Sequence, residues 1–188
     1  MNTKTKTGVK IRDICFISMF AALIAACAQI NIPTPGGVAF TLQTFAVSLA
    51  GIVLGYKKGV LSVVIYIILG IIGIPVFSGF SGGIAIITGK TGGFILSFPA
   101  MAFLTGVFTN IGTNKKNAVK YFFIAVGLIT GTVLNYICGV LMFSAVTSSS
   151  LQNAFIWCVL PFIITDTVKI ILAGITGITV KKIFGKKL

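Results

Sequence analysis

Apolar residues run along this chain in long blocks, separated by short basic breaks or by breaks rich in glycine and proline. A block that stays apolar for about 20 residues, without the alternation of a strand, reads as a membrane helix. Six such spans are predicted, at about 11–30, 42–56, 60–74, 92–110, 119–145 and 160–181. The first two are joined by a turn-rich stretch, Asn31 to Gly37, that contains Pro33 and Pro35. The last two are joined by a short polar run, Thr147 to Ser150. A straight helix from Leu151 to Lys181 would be about 46 Å long against a hydrocarbon core of about 30 Å, so Pro161 is the expected break.

The segment 76–93 fits neither template. It holds six glycines together with Phe77 and Phe80, and it is apolar without a clean helical period. Non-helical backbone at membrane depth is tolerated only where protein or a cavity covers it. The segment is therefore expected to fold as a structured loop over the outer end of the bundle; the alternative is a flexible loop with no ligand role. Gly51 and Gly55, Gly127 and Gly131, Ala21 and Ala25, and Ala22 and Ala26 are small residues four apart. Such pairs let helix backbones approach closely, either inside the bundle or against another membrane subunit.

Composition agrees with a membrane protein: 56% of residues are hydrophobic and 9% charged. The length suits one transmembrane domain over residues 1–188. A net charge of +13 invites a nucleic-acid reading, but its distribution argues otherwise. Thirteen of the fifteen Lys and Arg lie at the termini or in alternate loops: Lys4, Lys6, Lys10, Arg12, Lys57, Lys58, Lys115, Lys116, Lys120, Lys181, Lys182, Lys186 and Lys187. The loops near 31–41 and 146–152 have none. That alternation is the positive-inside pattern, with both termini cytoplasmic. The exceptions are Lys90, in an outer connection, and Lys169, inside the last span. Ile24 to Cys27 resembles a lipoprotein cleavage box, but the apolar run from Ile14 to Ile30 is long enough for a first span. The four cysteines form no CxxC pair, so neither zinc nor a disulfide framework is indicated.

The chain has two carboxylates, and Asp166 lies inside span six with Lys169 three residues on, on the same helical face. A charge at mid-membrane costs about 2.5–3.5 kcal/mol on insertion scales. Two opposite charges one turn apart form either a structural ion pair or a polar ligand site. With Pro161 at the outer end, Asp166 sits about 7–8 Å below it, at a depth reached from outside. Gln43 near the outer end of span two, Asn135 and Tyr136 in span five, and Phe77, Ser78 and Lys90 in the glycine-rich segment are further candidates. Apolar walls with a few fixed polar groups suit a small molecule. The chain has no histidine, which removes Ser-His-Asp and Cys-His catalysis, and one intramembrane carboxylate offers no acid/base pair. The chain does not read as an enzyme, and no metal site is expected. Gly89-Lys90-Thr91 imitates the end of a phosphate-binding loop, but the glycine required five residues before Gly89 is Ile84.

Pro33-x-Pro35, Thr41-Leu42-Gln43, Leu49-Ala50-Gly51, Leu54-Gly55, the run Gly70 to Phe77, Gly89 to Gly93, and Asp166-x-x-Lys169 together resemble the biotin-specific membrane subunit of energy-coupling-factor transporters, the BioY family. The resemblance implies an all-α bundle of six transmembrane helices with a glycine-rich outer loop covering a ligand pocket. It implies high-affinity capture of extracellular biotin for an ATP-driven uptake transporter in the plasma membrane of a prokaryote. The implied partners are a transmembrane coupling subunit and two cytoplasmic ATPase subunits, which alone bind ATP; no cofactor is implied. In related subunits an Ala-x-x-x-Ala motif on helix one contacts the coupling subunit, and here Ala21/Ala25 and Ala22/Ala26 both match. Asp166 suits the ureido N–H groups of biotin and Lys169 its carbonyl, while Lys90 or a polar loop group suits the valerate; Lys169 could instead hold the carboxylate. The alternatives are the same architecture for another vitamin, or a stand-alone ion-coupled carrier.

Overall fold

The computed structural model describes residues 10–34, 36–113 and 115–184. Lys4, Lys6, Pro35, Lys186 and Lys187, which enter the charge pattern and motifs above, lie outside the described residues. α1 (Ile11–Gln29) leads into a two-stranded antiparallel hairpin, β1 (Asn31–Ile32) and β2 (Phe40–Thr41), with Asn31 opposite Thr41 and Ile32 opposite Phe40. There follow α2 (Gln43–Ile71), α3 (Ile84–Thr88), α4 (Gly92–Gly112), α5 (Asn117–Thr147), α6 (Leu151–Cys158) and α7 (Phe162–Phe184). Among the described residues, five helices are long and apolar enough to cross a membrane: α1, α2, α4, α5 and most of α7.

The predicted spans at 42–56 and 60–74 both fall in α2, which reverses on itself. Gly55 has φ 75° and ψ 177°, a conformation that L side chains rarely adopt. Gln43 Nε2 donates to Tyr66 Oη at 2.5 Å, although those residues would be about 34 Å apart on a straight helix. A Cβ placed on Gly59 would lie 2.9 Å from the Ala50 carbonyl oxygen. Residues 43–54 and 56–71 are thus two antiparallel arms in contact. The third predicted span ends at Ile71 rather than near 74, because Ile72 to Gly83 turns back and Gly83 N–H donates to the Gly70 carbonyl at 2.7 Å.

Glycines close the bundle. A Cβ on Gly51 would lie 2.7 Å from the Ala102 carbonyl oxygen, and one on Gly127 3.1 Å from Thr105 Cα. Gly131 meets Met101, and Gly106 lies on the backbone of Gly55 and Tyr56. The glycine pairs at 51/55 and 127/131 therefore serve packing inside the chain. The two alanine pairs of α1 divide: Ala21 is buried and Ala25 packs on the core, whereas Ala22 and Ala26 are exposed.

One end of the bundle gathers the basic residues. Lys58 pairs with Asp13 at 2.9 Å, which joins the start of α1 to the α2 reversal. Asn110, near the end of α4, lies beside Gly55. Lys181 Nζ reaches Thr113 Oγ1 at 3.4 Å, joining the end of α7 to the α4–α5 connection. At the opposite end lie the β1–β2 hairpin, the segment 72–91 and the α6–α7 break. Pro161 stands between α6 and α7, as its chemistry predicts, while Val159 O accepts from Phe162 N and Ile163 N at 2.8 and 3.1 Å. Two details were not visible in the pattern. The glycine-rich segment contains a short helix, α3, and Leu151–Cys158 forms a helix of its own, capped by the Ser150 hydroxyl accepting from Asn153 N.

Candidate ligand-binding site

The hairpin end encloses a cavity of about 410 Å³. That is within the range of small-molecule sites. All eight candidate site residues line it: Gln43, Phe77, Ser78, Lys90, Asn135, Tyr136, Asp166 and Lys169. They arrive from four parts of the chain: the start of α2, the glycine-rich segment, α5 and α7.

Asp166 is the fifth residue of α7 and is 3% exposed; Lys169 is 8% exposed. Three donors converge on the carboxylate. Lys169 Nζ donates to Oδ1 at 2.8 Å, Tyr136 Oη donates to Oδ2 at 2.6 Å, and Thr44 Oγ1 donates to Oδ1 at 3.3 Å. A carboxylate offers about four lone-pair sites, so about one remains open. Burying both charges is costly unless each is paired and hydrogen-bonded, and here each is. Lys169 spends one donor on Asp166, and its other N–H groups have no partner among the described residues.

Asn135 is fixed by α4. Its Nδ2 donates to Phe94 O at 2.9 Å and to Ser97 Oγ at 2.7 Å, which leaves Oδ1 as its unengaged polar atom. Gln43 is spent within the protein: Nε2 on Tyr66 and Oε1 accepting from Thr41 Oγ1 at 2.9 Å. It stiffens the wall more than it offers hydrogen bonds. Phe77 is fully buried, edge-on to Tyr66 with ring centroids 5.5 Å apart, and its ring fills the space where Gly70 lacks a side chain. Phe94, Ile95, Phe98 and Phe162 complete an apolar lining.

Two loops form the roof. Gly37, Val38 and Ala39 come from the hairpin loop, and Ser78, Ser81, Ala85, Ile86 and Gly89 to Thr91 from the glycine-rich segment. They meet where the Lys90 ammonium lies against Gly37, whose φ of 75° and missing side chain make the room. Phe40 stacks on Phe162 at 4.2 Å, seating the hairpin on α7. Lys90 is exposed, at the rim, while the Asp166–Lys169 pair is deep. The Gly89-Lys90-Thr91 triplet thus borders this cavity at the start of α4.

Sequence reasoning missed Thr44, the hairpin half of the roof and the aromatic wall at Phe94, Phe98 and Phe162. A threonine next to Gln43 was the one available signal, since a hydroxyl and an amide both open a helix at the predicted depth.

A sequence profile described as the BioY family matches residues 1–186. A relative from Pyrococcus horikoshii named "Probable biotin transporter BioY" is 44% identical over 86% of this chain and 91% of its own length. One from Thermotoga maritima, "Biotin transporter BioY", is 34% identical over 92% of this chain and 98% of its own. Among solved structures, the S-component for biotin from an ECF-type ABC transporter superposes with a TM-score of 0.81, at 27% identity over 92% of each chain.

Proposed function

Because this chain belongs to the BioY family, we propose that its cavity captures biotin from outside the cell. The protein is a multi-pass membrane protein and a biotin transporter, the S component of an ECF-type transporter, and not an enzyme. We read all 188 residues as one domain. The two arms of α2 count as separate crossings, giving six, with the basic end and both termini in the cytoplasm. The membrane is the plasma membrane of a prokaryote. The cavity then opens outward.

The observation that carries the reading is the buried Asp166–Lys169 pair, with hydrogen-bonding capacity still open on both partners, deep in a cavity that also has an aromatic wall. Biotin's ureido ring presents two N–H donors and one carbonyl. The open lone pair of Asp166 and the free Asn135 Oδ1 are two acceptors, and Lys169 keeps donors for the carbonyl. Hydrogen bonds to ionised groups are the stronger kind. Biotin's carboxylate is repelled by Asp166 and is matched by Lys90 at the rim, so the ring enters first. Phe77, Phe94 and Phe162 bracket the bicycle and the tail, and Ser78 borders the path. Tyr136 and Thr44 hold the Asp166 carboxylate in place, and Gln43 holds the wall.

Uptake needs a transmembrane coupling subunit and two cytoplasmic ATPases; ATP binds only to those, and no cofactor is required here. Of the two alanine registers on α1, Ala22 and Ala26 face outward and suit a docking helix, while Ala21 and Ala25 are taken up by internal packing. The purified subunit is expected to bind labelled biotin with no ATP present, and unlabelled thiamine or riboflavin is not expected to displace it. Displacement by another vitamin and not by biotin would assign the same architecture to that vitamin.

A further inference from the structure

We propose that Gln29 is a positioning residue that sets how long biotin stays bound. It does so by latching the glycine-rich half of the roof to the end of α1; this rests on the biotin reading above. Gln29 is the last residue of α1 and does not line the cavity. Its carboxamide nonetheless reaches across to residues 76–80. Nε2 donates to Val76 O and Phe77 O, both at 3.2 Å, as well as to Ala25 O of its own helix at 3.2 Å. Oε1 accepts from Phe80 N at 2.8 Å. One side chain thus engages backbone groups on the entry to a tight turn and within it.

That turn needs an external tie. Phe77 and Ser81 pair through two backbone hydrogen bonds, of 2.9 and 3.3 Å. Between them Gly79 and Phe80 both take positive φ, 71° and 54°. Left-handed backbone suits glycine and is uncommon for a bulky residue. The Phe80 ring is 73% exposed, so its packing does not explain the conformation. The Phe80 N–H is held instead by Gln29 Oε1, at 2.8 Å. The turn in turn fixes Phe77, whose ring is buried against Tyr66, and Ser78, which faces the cavity. The anchor itself is tied down just before Gln29, where Leu42 N, at the start of α2, donates to Cys27 O at 3.2 Å.

A residue that contacts ligand directly changes the ligand's own bonds. A latch instead changes how often the roof opens, so it acts chiefly on the dissociation rate and on the exchange of loop amides. Gln29→Leu removes every latch bond at nearly constant volume. Gln29→Glu keeps the acceptor for Phe80 N and loses the donors. With labelled biotin and purified full-length protein, Gln29→Leu is expected to release biotin at least tenfold faster than wild type, and Gln29→Glu at an intermediate rate. In the ligand-free protein, hydrogen exchange at the Phe77 and Ser81 amides is expected to rise in the same order, while α4 and α5 stay unchanged. An unchanged release rate in folded Gln29→Leu, or faster release without faster exchange at those two amides, overturns the latch. If Gln29→Leu does not fold, Gln29→Glu decides by the same two readouts. If wild type retains no biotin, the transport reading fails instead, and the exchange pattern alone judges the latch.

Discussion

Asp166→Asn lowers affinity for biotin at least tenfold, about 1.4 kcal/mol. Asparagine keeps the size of the side chain but loses its charge and replaces one acceptor oxygen with a donor. The amide has fewer lone pairs for the donors now converging from Lys169, Tyr136 and Thr44. It also leaves the buried Lys169 ammonium without a counter-charge. Breaking such a pair costs about 3–5 kcal/mol of stability, with the lower end expected where a cavity admits water. The loss of affinity therefore has to be separated from the loss of fold. Asp166→Asn combined with Lys169→Met removes both charges, so the thermal midpoint in detergent recovers toward wild type while affinity stays low. Calorimetric titration with biotin and thermal unfolding measure the two effects. Wild-type affinity in Asp166→Asn would make the pair a structural salt bridge and nothing more.

Gly106→Leu is expected to cost about 3 kcal/mol or prevent folding, since its side chain has to enter where α4 touches the α2 reversal. A Cβ there would lie within 2.8 Å of the Gly55 carbonyl carbon and closer still to Tyr56, all of it backbone. Backbone at a helix crossing does not rotate away as a side chain does. Gly174→Ala is the control: its Cβ would meet only Leu128 Cδ1, at 3.4 Å. There the gain in helix propensity, up to about 1 kcal/mol, leaves stability unchanged or slightly raised. Size-exclusion profiles and unfolding midpoints in detergent distinguish the two. A well-folded Gly106→Leu at wild-type stability would contradict the close approach of these helices.

The spans were legible because lipid demands an uninterrupted apolar run, and the basic breaks mark the ends on one side. Asp166 and Lys169 stood out for the same reason: a charge inside such a run is conspicuous. The other contributors to the cavity are ordinary in sequence. Thr44 is a threonine at a helix start, and Val38 is an apolar residue in a loop; their roles come from approach to α7, over a hundred residues away. Gln29 reads as a polar helix terminus until the 76–80 turn is seen to fold back on it. The alanine registers of α1 were ambiguous in one dimension, since both have the same spacing, and only the packing of α1 on α2 separates them. Residues 151–158 fall in no predicted span, because Pro161 predicts a break but not that the preceding piece is itself helical.

The intimate pairing of Asp166 and Lys169, 2.8 Å apart on one helix, also has an electrical consequence. A transmembrane voltage does about 2.3 kcal/mol of work on one elementary charge per 100 mV. Opposite charges this close sum to zero and feel almost none of it, and in the pose proposed above a biotin carboxylate against Lys90 would cancel likewise. Displacing the loaded site along the membrane normal therefore neither draws on the cell's voltage nor works against it.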